Sequence, residues 1–155
     1  MRLRIMIIAF VISIIFIFPQ RVKAEYVFYY EGDGLDALVN EEIEVKNESL
    51  SYKIYFLVNI LLNSEKNVVK YIGEGARLNS VSVYEDEAVI DISEGIRNYG
   101  GSYYELRLLN QLAMIAFQFE QIKKLTILTD GKSECFPQGS EVYKWQRKDF
   151  GDYEN

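Results

Sequence analysis

Two stretches of the chain carry apolar residues at the spacing of an amphipathic α-helix. In residues 49–63 the apolar positions recur every three or four residues, and residues 47–49 supply capping groups at their start. A second helical pattern follows Ser102 and Glu105, whose spacing matches a capping box, and it ends near Gln121. Its apolar face consists of Leu106, Leu109, Leu112, Ala113, Ala116 and Phe119. Each predicted helix therefore has one face to bury against a sheet.

Extended segments alternate with these helices. They occupy residues 26–30, 39–45, 78–84, 87–93 and 123–130. Residues 39–45 alternate apolar and acidic side chains and are predicted to be an edge strand. The third and fourth segments form a hairpin, and its turn at Glu85-Asp86 lacks the glycine of tight turns, which predicts a loop slightly longer than two residues. The order predicts an α+β domain of βαββαβ type, a two-layer sandwich with two helices on one face of a small sheet.

The N-terminal residues have the pattern of a secretory signal peptide. Arg2 and Arg4 precede an uncharged apolar run from Ile5 to Phe18, and Val22-Lys23-Ala24 follows as a cleavage site. The run is shorter than the roughly 17–25 residues of a membrane-spanning helix. We therefore predict that residues 1–24 are a signal peptide cleaved after Ala24, with an uncleaved membrane anchor as the alternative.

Cleavage would make the exported chain strongly acidic. Residues 1–24 carry four basic side chains and no acidic one, so the formal net charge would fall from −6 to −10. Such a charge keeps a domain dispersed and repels nucleic acid and anionic lipid. We expect no nucleic-acid partner, and a basic protein surface is the electrostatically favoured one.

The chain after the signal peptide is long enough for one domain with its own core. We place this domain at residues 25–140 and a polar C-terminal tail at residues 141–155, whose last ten or so residues are expected to be loosely held. Cys135 is the only cysteine, so no internal disulfide can form. A lone cysteine is expected to be a small buried apolar group.

Four short motifs lie between Tyr71 and Lys132, at residues 75–83, 88–93, 100–102 with Glu105, and 128–132. In this order and spacing they resemble the GerMN domain of sporulation and spore germination proteins. With the first strand and helix the resemblance covers about residues 26–140. It implies an extracytoplasmic domain of Gram-positive bacteria, with a fold similar to ring-building domains of secretion assemblies. It also implies an assembly role in envelope complexes and no catalytic residue set.

The chain contains no histidine, which limits the catalytic and metal-binding sites that it could form. Serine–histidine and cysteine–histidine nucleophiles and histidine zinc sites are therefore excluded. Glu31, Asp33 and Asp36 are candidates for calcium, although their spacing fails the EF-hand pattern and favours a polar turn. Asp91 and Asp130 are candidates for an acid–base pair in glycan hydrolysis, although Asp130 is better explained as the end of a strand entering a turn. We predict no catalytic, cofactor-binding or metal-binding residues.

The twelve tyrosines are the remaining candidates for recognition. Tyr29, Tyr30, Tyr103 and Tyr104 could stack on sugars, but tyrosine more often fills a sheet or an interface. We predict a non-catalytic interaction or assembly module, secreted or held at the outer face of the cell membrane, in sporulation or spore germination. Its expected partners are envelope or membrane proteins of a sporulation complex or further copies of itself. A peptidoglycan-binding module is the alternative.

Overall fold

The computed structural model describes residues 24–31, 37–46, 48–64 and 76–149. The predicted signal peptide before Ala24, the end of the tail at residues 150–155, and the candidate calcium ligands Asp33 and Asp36 lie outside these ranges. Within them, no helix is long and apolar enough to cross a membrane.

Strands and helices follow one another in the predicted order, with one short strand added at the end. Their bounds are β1 Glu25–Glu31, β2 Ala37–Ile43, α1 Leu50–Asn63, β3 Leu78–Tyr84, β4 Glu87–Ile92, α2 Ser102–Phe117, β5 Lys124–Thr129 and β6 Trp145–Gln146. The chain therefore has the α+β, βαββαβ-type fold that the pattern predicted.

The described strands form two sheets where the pattern predicted one. β1 and β2 pair antiparallel in a two-stranded sheet, and the other strands form a second sheet in the order β3-β4-β5-β6. β4 and β5 run parallel, which requires a crossover connection, and α2 lies in that connection. The remaining pairs of the second sheet are antiparallel.

Gln111 in α2 and Gln118, the residue just after it, bind β1 to the rest of the molecule. The Gln118 side chain accepts from the Tyr26 backbone N–H at 2.8 Å and donates to the Tyr26 carbonyl at 3.0 Å. Gln111 Nε2 donates to the Phe28 carbonyl at 2.9 Å. Side-chain amides thus bind the β1 backbone where a neighbouring strand would otherwise pair. α2 ends at Phe117 and not near Gln121, where the pattern placed its end.

The core lies where the helices pack on the sheets. α1 buries Ile54, Leu57, Val58, Leu61 and Leu62, and β4 and β5 add Ala88, Ile90, Ile92, Leu125 and Ile127. α2 contributes Leu108, Leu109, Leu112, Ala113, Ile115 and Ala116. The predicted apolar face of α2 was partly wrong, since Leu106 is 52% exposed. The buried stripe is rotated away from it because α2 packs against β1 and α1.

The capping prediction is confirmed for α1 and wrong for α2. Ser49 Oγ accepts from the Tyr52 backbone N–H at 3.3 Å at the start of α1. α2 instead begins at Ser102, and Gly101 occupies the N-cap position with a φ of +92° and no side-chain hydrogen bond. Ser102 is already the first helical residue, so its hydroxyl is not placed to cap the helix.

The Glu105 carboxylate holds the C-terminal segment against α2 instead of completing a capping box. It is 1% exposed and accepts from the Tyr99 hydroxyl at 2.5 Å and from the backbone N–H groups of Gln138 and Ser140 at 2.7 and 3.0 Å. Burial acts to raise the pKa of this carboxyl, but the hydrogen bonds outweigh it and lower the pKa below its ordinary value. Burial and the bond to Glu105 raise the pKa of Tyr99, which keeps its hydroxyl a donor.

The folded unit continues past residue 140, where the sequence pattern placed a polar tail. Val142 is 1% exposed, and its carbonyl accepts from the Ile127 backbone N–H at 2.9 Å. Trp145 then pairs with Leu125 to form β6. This segment covers the edge of β5, so main-chain pairing orders a stretch that has no apolar periodicity.

Cys135 is exposed, contrary to the expectation that it is buried. The next residue, Phe136, occupies the core position in this segment and is 3% exposed. The Cys135 carbonyl accepts from Arg97 Nη2 at 3.0 Å, which holds the segment in place.

The β3–β4 turn is shorter than predicted. Tyr84 pairs with Glu87, so only Glu85 and Asp86 connect the strands, and Glu85 adopts a φ of +54°. A left-handed conformation costs a non-glycine residue roughly 1–2 kcal/mol. Asp86 offsets this cost, since its carbonyl accepts from the Lys124 backbone N–H at 3.1 Å and its carboxylate binds Lys124 Nζ at 3.0 Å.

Replacing Glu105 by glutamine should lower the free energy of unfolding by roughly 2–4 kcal/mol, because hydrogen bonds to a charged group contribute about 1.5–3 kcal/mol each. Urea unfolding followed by the fluorescence of Trp145, the single tryptophan, measures this loss. Glu134→Gln is the matched control. Its carboxylate forms a surface ion pair with Arg97 at 2.9 Å, and its loss should cost less than about 1 kcal/mol.

The difference in stability between the wild-type chain and Glu105→Gln should depend on pH. The pKa of Glu105 in the folded chain lies below its ordinary value of 4.5, so its stabilisation is fully present above that pH. It is lost as the pH falls through the folded pKa. The stability difference between the wild-type chain and Glu105→Gln should therefore shrink in acid, and a difference that stays constant down to about pH 2 would contradict this role.

Candidate interaction surface

Asp91 and Asp130 meet at one turn, where both bind backbone groups. Asp91 Oδ1 accepts from the Gly131 backbone N–H at 2.9 Å. Asp130 accepts from Asn79 Nδ2 and from the Glu94 backbone N–H, each at 3.0 Å. The two carboxylates therefore fix the local chain path.

The turn itself explains the residues found there. Asp130 and Gly131 have φ angles of +46° and +78° and connect Thr129 to Lys132, which exchange backbone hydrogen bonds at 2.8 and 3.0 Å. Two successive positive φ angles are typical of the type I′ turn, for which Asp-Gly is a preferred pair. The interpretation of Asp130 as the end of a strand entering a turn is confirmed.

Of the three candidate calcium ligands, only Glu31 lies in the described part of the chain, and it is exposed at the end of β1. Asp33 and Asp36 lie outside the described ranges. Elsewhere in those ranges, no three histidine, cysteine, aspartate or glutamate side chains are grouped so as to hold a metal ion.

The tyrosines divide between core and surface. Tyr29 and Tyr30 are 2% and 3% exposed, and Tyr104 is half-buried, so three of the four that the sequence singled out are not available as open stacking platforms. Tyr103 is exposed. Further exposed rings are Tyr52, Tyr55, Tyr84 and Tyr143.

Arg107 organises a group of large side chains on one side of the molecule. Its guanidinium carbon lies 4.3 Å from the ring centre of Tyr30 on β1 and 4.9 Å from that of Tyr103 on α2. Arg107 Nη2 also donates to the Tyr103 hydroxyl at 3.1 Å. Leu38 pairs with Tyr30 across the hairpin, and Leu106 lies one turn along α2 from Tyr103. We call these five residues the Arg107 cluster.

The Arg107 cluster is fixed in position yet open to solvent. Leu38, Tyr103 and Leu106 are 39%, 42% and 52% exposed, while Tyr30 beneath them is buried. Cation–π contacts of a partly desolvated guanidinium contribute roughly 0.5–2 kcal/mol each. Arg107 therefore holds the exposed ring of Tyr103 in place through its contact with the buried ring of Tyr30.

Sequence reasoning did not identify this cluster. Arg107 looks like an ordinary charge on the solvent side of a helix, and Tyr30 lies 77 positions away on another element. One local signal was present: Tyr103 and Arg107 are four residues apart, the spacing at which helical side chains meet.

A cleft of about 440 Å³ lies at the start of β1. Its floor contains an ion pair between Lys53 Nζ and Glu25 Oε1, whose atoms are 2.5 Å apart. The cleft is lined by Ala24, Glu25, Glu48, Leu50, Lys53 and residues 118–121. It therefore spans the beginnings of β1 and α1 and the end of α2.

Solved structures with the same fold come from a sporulation protein and a putative lipoprotein. The first GerMN domain of the sporulation protein GerM from Bacillus subtilis is 17% identical, with a TM-score of 0.59 over 82% of this chain and 99% of that one. A putative lipoprotein from Clostridium perfringens is 16% identical, with a TM-score of 0.56 over 81% of this chain and 87% of that one. At these identities the likeness establishes the fold alone.

A third solved structure contains the tandem GerMN domains of the sporulation protein GerM from Bacillus subtilis. Its sequence is 17% identical to this chain, and the two structures match with a TM-score of 0.57 over 83% of this chain. The match covers 47% of that structure, so this chain spans about half its length. A comparison with curated protein sequences gives no match. The family model described as Germane, sporulation and spore germination, matches residues 26–135, well over half of the chain. The chain therefore belongs to the Germane family of sporulation and spore germination domains.

Proposed function

We propose that this protein is an exported, non-catalytic module that docks onto proteins of the bacterial envelope during sporulation or spore germination. The Arg107 cluster is the observation that carries the docking role. The family supports the biological setting, because its description names sporulation and spore germination.

The composition of the Arg107 cluster is that of a protein interface. Tyrosine and arginine are enriched among residues whose truncation weakens protein complexes most, and they act from packed, central positions. Tyr103 and Arg107 are already held against Tyr30, so binding would immobilise few additional rotamers. A prearranged surface loses less conformational entropy on association than a mobile one.

Export is supported from two directions. The N-terminal pattern of Arg2, Arg4 and an apolar run to Phe18 is typical of a secretory signal peptide. Independently, one structural neighbour is described as a lipoprotein and another as a sporulation protein. An extracytoplasmic location at the outer face of the cell membrane fits both.

A non-catalytic role is supported by what the best-placed carboxylates do. Asp91, Asp130 and Glu105 each accept hydrogen bonds from backbone N–H groups that hold turns or segments in place. At Asp130 and Glu105 hydrogen bonds reach both carboxylate oxygens, which leaves less capacity for proton transfer to a substrate.

Peptidoglycan binding is the second candidate, and exposed tyrosines favour it. Tyr84 is 75% exposed at the end of β3, and Tyr143 is 55% exposed beside β6. Aromatic faces can stack on sugar rings, and these two lie outside the Arg107 cluster. They therefore provide a way to separate the two functions.

Export with cleavage after Ala24 should yield a mature protein whose first residue is Glu25. Fractionation of the source cells, followed by mass spectrometry of the purified protein's N-terminal peptide, measures both location and processing. Replacing Ala24 by a bulky residue such as Trp should block cleavage, since the position before the cut requires a small side chain. A protein recovered intact from the cytoplasm would refute export.

The docking surface is tested by crosslinking and affinity capture of the tagged protein from sporulating cells. We expect envelope or membrane proteins of the sporulation machinery to be recovered. A variant combining Tyr103→Ala and Leu106→Ser should bind the captured protein at least about tenfold more weakly, because interface anchors contribute 2 kcal/mol or more each. The control is Tyr84→Ser, which removes a more exposed ring outside the Arg107 cluster and should leave this binding unchanged.

The outcome also decides between the two candidates. Trp145 fluorescence first establishes that each variant is folded. Recovery of wall fragments alone, lost with Tyr84→Ser and retained by the Tyr103 and Leu106 variant, would replace docking by peptidoglycan binding. Recovery of the chain itself would indicate self-association through the same surface.

A further inference from the structure

The cleft at the start of β1 contains a buried carboxylate that is only half satisfied. Glu25 is 4% exposed, and its Oε1 atom is paired with Lys53. Its second oxygen, Oε2, is shielded from solvent and has no hydrogen-bond partner among the described residues. An unpaired buried acceptor costs roughly 1–3 kcal/mol, and more when it is charged. A hydrogen-bond donor bound to Oε2 would remove this cost, and the described part of the chain does not supply one.

The charges around the cleft favour a cationic donor. Glu48 also lines it, so among the lining residues that the structure describes the carboxylates of Glu25 and Glu48 outnumber the ammonium of Lys53. Their attraction for a cation is stronger in a partly enclosed site than in open water, because the effective dielectric constant is lower.

The shape and composition of the cleft favour an alkylammonium group over other cations. Leu50 and Phe119 are half-buried and form apolar walls that suit a methylene stem. A metal ion is disfavoured, since in the described ranges no three acidic side chains are grouped to hold one. A guanidinium binds best through both oxygens of a carboxylate, and Lys53 already occupies one of them. A compact ammonium requires only the other.

We propose that this cleft binds the ammonium group of a lysine side chain from a partner protein, with Glu25 Oε2 as its acceptor and Glu48 as an outer charge. The terminal torsion of glutamate is broad and the stem of Lys53 is flexible, so the carboxylate can turn Oε2 toward the cleft while Lys53 follows Oε1. Assigning the lysine to a partner rests on the proposed function, whereas the binding of an alkylammonium group does not.

The test is an NMR titration of the processed protein with the tripeptide acetyl-Gly-Lys-Gly-amide. The backbone amides of residues 48–53 and 118–121 should shift and saturate, with a dissociation constant on the order of millimolar. The same tripeptide acetylated on its lysine side chain should produce no saturable shift, because it lacks the charge. Weaker binding of 1,5-diaminopentane than of the tripeptide supports a lysine carried by a protein, and equal or tighter binding overturns that assignment.

Substitutions test the acceptor directly. Glu25→Gln should weaken tripeptide binding about tenfold, since a hydrogen bond to a charged group is lost. Glu134→Gln removes the same charge from a surface ion pair outside the cleft and should leave binding unchanged. Because Glu25→Gln also leaves Lys53 without its partner, Lys53→Met is the second variant. It keeps an apolar stem, removes the competing ammonium and should strengthen binding.

Three results would overturn the proposal. The first is equal shifts with the charged and the acetylated tripeptide, and the second is undiminished binding to Glu25→Gln. The third is that the tripeptide binds to a chain that still carries Ala24 but not to a chain that begins at Glu25. In that case the partner of Oε2 would be the α-ammonium group that cleavage creates. None of them affects capture through the Arg107 cluster, so failure of this site and failure of the proposed docking role are distinguishable.

Discussion

The attachment of the β1–β2 hairpin to α2 is the constraint on which both candidate binding regions depend. The hairpin belongs to no larger sheet, so the amides of Gln111 and Gln118, and not a strand ladder, align it. The Arg107 cluster joins β1 to the first half of α2, and the cleft joins β1 to α1 and to the end of α2. A shift of β1 along α2 would therefore separate Tyr30 from Arg107 and open the cleft at the same time. One set of hydrogen bonds positions both regions.

A second junction closes the other side of the molecule. Glu105 binds residues 138 and 140 to the start of α2, and the chain that follows pairs along β5. Buried carboxylates are costly unless they are fully hydrogen-bonded, and this one receives two backbone donors and a hydroxyl. The C-terminal segment can therefore cover a sheet edge without a hydrophobic stripe of its own. Polar side chains thus make the long-range connections at both ends of α2, while apolar packing fills the space between.

Periodicity in the sequence predicted both helices, five of the strands and the fold class, because each of those elements has one buried face. It could not predict two sheets, since alternation reveals burial and not the pairing partner. The capping box at Ser102 and Glu105 is a correct local motif overridden by tertiary donors near residue 140. β6 spans two residues and carries no periodic signal. Neither binding region could be predicted, because the sequence shows the charge of Glu25 and Arg107 but neither the burial of one nor the rings around the other.

The distribution of charge links the two regions to one kind of partner. Residues 25–45 contain seven acidic and no basic side chains. Strands β1 and β2 lie within this range, and β1 borders both the Arg107 cluster and the cleft. No described strand pairs with the outer side of β2, so β2 is an edge strand. Its glutamates repel the same strand of a second copy. The same charges steer a basic surface toward the hairpin and raise its rate of association. An acidic edge therefore selects the approaching partner, the cleft receives its ammonium group, and the Arg107 cluster supplies the apolar contact that electrostatic steering alone does not provide.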